Sequence, residues 1–63
     1  MTDSFTELRP LLFSIAYRMT GTRTDAEDIL QESYLRWQAA DRSGIQSPKA
    51  FLTTIVSRLS LDS

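Results

Sequence analysis

The sequence predicts an all-α fold, a small bundle of three helices at about 4–20, 25–40 and 48–62. Three observations carry that expectation. Apolar residues recur at helical spacing in three separate stretches, the mark of a buried helical stripe. Residues that start or stop helices stand between those stretches, among them Gly21, Gly44 and the pair Ser47-Pro48. The one β-branched run, Thr53 to Val56, lacks the apolar–polar alternation of a half-buried strand.

In the first stretch Met1 to Asp3 are expected to fray, and Asp3 or Ser4 to cap the helix, with Glu7 near its first turn. Phe5, Leu8, Leu12, Ile15 and Met19 form the expected core stripe, widened by Leu11, Ala16 and Tyr17. Pro10 lacks an N–H and crowds the carbonyl of Thr6, so a single helix kinked at that point is expected. Gly21 suits a left-handed C-cap, with Thr20 to Arg23 as the connection.

The chain is organised around the second stretch, Thr24 to Ala40, which reads TDAEDILQESYLRWQAA. Thr24 and Glu27 read as a capping box, and Asp25, Glu27 and Asp28 put negative charge where the helix dipole favours it. Ala26, Ile29, Leu30, Ser33 and Trp37 form a core stripe. Asp28, Gln31, Glu32, Leu35 and Gln38 form another face, acidic and amide-rich around one leucine. Spacing alone leaves two readings of it: a solvated face with a stray leucine, or a docking surface whose apolar anchor is ringed by groups suited to a basic partner.

Asp41 to Ser47 (DRSGIQS) is a turn-rich connection in which Ile45 is the only apolar residue, placed to peg the loop to the bundle. Ser47 and Pro48 then read as N-cap and first residue of a third helix reaching at least Leu61. Phe51, Leu52, Ile55, Val56 and Leu59 supply its stripe.

Composition narrows the function. The chain has 63 residues, no cysteine and no histidine, so no disulfide or thiolate metal site staples it and the commonest general base is missing. A domain of this size buries only about 60% of its unfolded surface, so helix packing or a neighbour must stabilise it. Net charge is −1, without the basic excess of a stand-alone nucleic-acid binder. No apolar run approaches the ~20 residues that span a bilayer, and MTDSF lacks the features of a signal peptide. A cytoplasmic protein without membrane association is expected. Lys49 is the only lysine, the acidic residues of the second helix face no second cluster, and the two glycines are isolated. Neither enzymatic activity nor a cofactor or metal is expected.

Beyond periodicity, the polar identities in DAEDILQESYLRW resemble the core-binding helix of bacterial sigma factors, in the extracytoplasmic-function (ECF) group of the sigma-70 family. Asp25, Ala26, Glu27, Asp28, Gln31, Glu32 and Arg36 match that pattern. LRPLLFSIAYRMTG is similar to the first helix of the same domain, especially in ECF members with a SnoaL-like C-terminal domain. AFLTTIVSRLSLD is similar to the promoter-reading helix: Phe51, Leu52, Ile55 and Asp62 fit, while Ser57 and Arg58 stand where the common form has Arg-Asn.

The resemblance implies a sigma region 2 domain over 1–63, a piece of a longer factor, that docks on RNA polymerase core and opens the minus-ten promoter element. It assigns contact with the clamp helices of the largest polymerase subunit to Asp28, Gln31, Glu32, Leu35 and Gln38. It assigns the DNA-facing surface, preferring single-stranded minus-ten DNA, to Arg42, Ser43 and Gln46 of the loop and Thr54, Ser57 and Arg58 of the third helix. Hydroxyls and amides there suit base edges, and the arginines suit phosphates. An anti-sigma protein as partner and self-association of the isolated domain stay open. Two other readings also stand: a helix-turn-helix regulator of duplex DNA, and a helical protein-interaction module without a DNA role.

Overall fold

The computed structural model describes residues 3–62. Three helices form the expected bundle: α1 (Ser4–Thr20), α2 (Arg23–Ala39) and α3 (Pro48–Asp62), with a single 3-10 turn, Arg42–Gly44, between the last two. Each helix packs against both others. No strand occurs among the described residues, so the β-branched run of α3 follows its helical apolar spacing.

All five residues of the predicted α2 stripe, Ala26, Ile29, Leu30, Ser33 and Trp37, are buried. Phe5, Leu12 and Ala16 of α1 and Leu52 and Val56 of α3 complete the core, with Leu8, Phe13, Ile15, Ile45, Phe51 and Leu59 packed against it. Ile45 thus pegs the connection as expected. Ser33 is tolerated inside because its hydroxyl donates to the Ile29 carbonyl at 2.7 Å.

The predicted α1 stripe is too long. Met19 is 41% exposed, and Leu11 and Tyr17 also face outward. The buried line runs through Ala16, one turn before the α1–α2 connection, and the fully buried Ala26 lies one turn after it. Met19, in the last turn beyond Ala16, therefore lies past the buried line of α1. Pro10 lies inside an α1 that runs unbroken as a single helix.

The helix ends follow their chemistry with one correction. Gly21 is left-handed (φ 84°), and its N–H donates to the Tyr17 carbonyl at 2.8 Å, closing α1. The expected Thr24 box is not the start of α2. The cap is Thr22, whose Oγ1 accepts the Asp25 N–H at 3.2 Å. Once Gly21 has reversed the chain, the next residue is already extended (φ −133°, ψ 149°) and can cap at once, so Thr24 falls within the first turn. Ser47 caps α3 as expected, accepting from the Ala50 N–H at 3.2 Å.

The fraying expected at Met1 and Thr2 lies outside the described residues. Asp3 does not fray. It occupies the N-cap position of α1 but makes no side-chain cap bond there; its Oδ1 instead accepts from Trp37 Nε1 at 3.2 Å.

Candidate functional site

The α2 surface opposite its core stripe carries the predicted docking residues. Asp28, Gln31, Leu35 and Gln38 follow one another at helical intervals, and all four are exposed, with Glu32 exposed on their flank. Leu35 is 52% exposed, a large apolar side chain left outside the core. Asp28 and Gln31 make no side-chain hydrogen bond or ion pair among the described residues, so their acceptors are free. Glu32 is engaged: its Oε2 accepts from Arg36 Nε at 3.3 Å, with both side chains about half exposed. An exposed i,i+4 pair of this kind contributes only about 0.3–0.5 kcal/mol, so a partner displaces it readily.

Tyr34 borders this surface and is not among the residues that spacing singles out. Its hydroxyl accepts from Gln38 Nε2 at 2.8 Å, and its ring packs against Phe5 with centroids 5.0 Å apart. The tyrosine therefore fixes the Gln38 amide. The signal for it was its position three residues after Gln31 and four before Gln38, masked by its closeness to the core stripe.

The loop and α3 hold the predicted DNA-facing residues. Asp41 shapes the loop: its Oδ1 accepts from the Ser43 hydroxyl at 2.6 Å and the Ser43 N–H at 3.1 Å. These two bonds, the hydroxyl's first, lower the Asp41 carboxyl below the ordinary aspartate value. Ser43 has thus already spent its hydroxyl proton, leaving only its oxygen lone pairs for a base edge. Arg42 is not a free surface arginine, because its guanidinium lies 5.0 Å over the Trp37 ring and 3.9 Å from Asp3 Oδ1. On α3, Thr54 and Arg58 are exposed and Ser57 half-buried, sharing one side at spacings of three and four. Arg58 pairs with no carboxylate among the described residues. Trp37 is almost fully buried, so it is core and not a platform for a base.

The family model for sigma-70 region 2 matches residues 5–63, nearly the whole chain. The chain belongs to the sigma-70 region 2 family. Its three helices are consistent with that family. This region 2 chain is also 59% identical over 60 residues to the ECF RNA polymerase sigma factor SigJ of Mycobacterium tuberculosis. That match takes in 95% of this chain but 19% of the relative, so the chain spans about a fifth of the length of the curated relative it matches. No solved structure matches it. Within this region 2 chain, no helix among the described residues is long and apolar enough to cross a membrane.

Proposed function

We propose that this chain acts as region 2 of an ECF sigma factor, a transcription initiation factor working in the cytoplasm. The α2 face of Asp28, Gln31, Glu32, Leu35 and Gln38 docks on the clamp helices of RNA polymerase core. The loop and α3, through Arg42, Ser43, Gln46, Thr54, Ser57 and Arg58, hold the single-stranded minus-ten element. Family membership supports the reading, and the observation that carries it is the exposure of Leu35 amid unpaired acceptors. An apolar side chain ringed by Asp28 and Gln31 fits a basic, helical partner surface: the leucine supplies desolvation, the carboxylate steering, the amide orientation.

The DNA side works differently. Net charge is −1, so affinity for nucleic acid cannot rest on bulk attraction and falls to a few placed groups. Arg42 and Arg58 serve phosphates, while Gln46 and Thr54 meet the edges of an unstacked base. Polymerase docking then supplies the local concentration that a weak DNA site needs.

The deciding experiment measures binding to isolated clamp helices or to polymerase core for wild type, Gln31→Ala and Glu32→Lys, with circular dichroism on each. Folded variants that lose more than about 2 kcal/mol support the acidic face as the docking surface. A folded wild type that does not bind would overturn the reading and favour an interaction module with another partner.

A further inference from the structure

Four side chains, from the start of α1, the end of α2, the loop and α3, meet around Trp37. Trp37 Nε1 donates to Asp3 Oδ1 at 3.2 Å, across 34 residues of sequence. The Trp37 ring packs against Phe51 with centroids 6.0 Å apart and carries the Arg42 guanidinium at 5.0 Å. The indole is thus held at its N–H edge and packed against a second ring, which leaves it little freedom to turn.

A guanidinium seated on an aromatic ring keeps its N–H groups in its own plane, where they remain available to a third group. Asp3 takes up little of that capacity. At 3.9 Å its carboxylate is an ion partner of Arg42 but no hydrogen-bond acceptor, and both side chains are partly solvated. The backbone below is closed as well, by the Asp41–Ser43 bonds and by the Ile45 N–H donating to the Arg42 carbonyl at 3.1 Å. A long side chain ordered before binding loses less rotamer freedom when its ligand arrives.

We propose that Asp3 is a positioning residue for Arg42: by fixing the Trp37 indole it holds the guanidinium preset to clamp a phosphate of single-stranded DNA. This rests on the reading of Arg42 as a DNA-contacting residue. It assigns a role in DNA capture to the start of α1, an element to which the sequence alone assigns only packing. A carboxylate merely close to an arginine would act in the opposite sense, competing with phosphate, and the two effects separate by sign.

The test measures binding of a fluorescein-labelled single strand carrying the non-template minus-ten element, by anisotropy, to wild type, Asp3→Ala, Asp3→Asn and Arg42→Gln. Asp3 makes no cap bond, so its replacement does not uncap α1, and circular dichroism checks this. Asp3→Ala weakens binding about two- to fivefold although it removes a negative charge. Asp3→Asn, whose amide oxygen still accepts the indole N–H, retains or exceeds wild-type affinity. Arg42→Gln lowers the salt slope by about 0.7, the amount expected when one fewer phosphate of a single strand is neutralised, and abolishes the effect of Asp3→Ala. In the free protein, ring-current shifts of the Arg42 side-chain resonances are present in wild type and Asp3→Asn and smaller in Asp3→Ala. Asp3→Ala binding as tightly as wild type, or more tightly, overturns the positioning role alone. A wild type that ignores the strand overturns the DNA reading of Arg42 and this proposal with it.

Discussion

Leu35→Ala separates docking from folding more cleanly than any charge change on α2. The side chain is 52% exposed and lies outside the core cluster, so its truncation should move domain stability by no more than about 0.5 kcal/mol. Fully burying a leucine contributes about 1.5–3 kcal/mol, and roughly half of this one remains to be buried when a partner covers it. The expected loss on docking is therefore about 0.8–1.6 kcal/mol, or about four- to fifteenfold in Kd. Titration calorimetry against isolated clamp helices reads that loss, and urea unfolding of the same sample reads stability. A smaller heat-capacity change on binding should accompany it, because less apolar surface leaves water. If Leu35→Ala binds with wild-type affinity, α2 does not present this face to the polymerase, and the exposed leucine is an ordinary surface residue.

Three further outcomes follow from the packing and the caps. Leu52→Ala removes a fully buried side chain of α3 and should cost about 2–5 kcal/mol, enough to unfold much of so small a domain; thermal melting by circular dichroism checks it. Thr22→Ala should cost about 1 kcal/mol in urea unfolding while Thr24→Ala costs much less, the reverse ranking being incompatible with Thr22 as the cap. The Asp41 carboxyl should titrate below the ordinary aspartate value of 3.8, and Ser43→Ala should raise its midpoint by removing the hydroxyl bond. Because the folded value is depressed, the turn's contribution is present above the unfolded pKa and lost as pH falls through the folded one. An NMR titration of Asp41 and of the Ser43 amide through the acid range reads both.

The α2 half of the candidate site, which we propose meets the polymerase, was legible from the sequence because it lies on one helix. Spacing within a helix fixes which side chains share a face, so Asp28, Gln31, Leu35 and Gln38 could be grouped without any tertiary information. Trp37 could be assigned to the core on the same ground. Legibility fell at the loop, where no periodicity orders the residues. Arg42 and Ser43 were assigned to a DNA-facing surface with no partner in the chain named for either, yet one is seated on an indole and the other is bound to Asp41.

By itself the sequence determined three helices, their order, the buried stripe of α2 and the caps at Gly21 and Ser47, since each depends on residues within a turn or two of one another. The choice between Thr22 and Thr24 lay beyond it, because both carry the capping hydroxyl and the reversal at Gly21 decides which one meets the first turn. Only the tertiary structure decided that Met19 stays outside, since its spacing within α1 puts it on the same stripe as the buried Leu12 and only the packing of the bundle sets where that stripe stops being covered. Only it could bring Asp3 to Trp37 and Arg42. Residues 34 positions apart share no local periodicity, and the bundle's packing alone sets the start of α1 beside the end of α2.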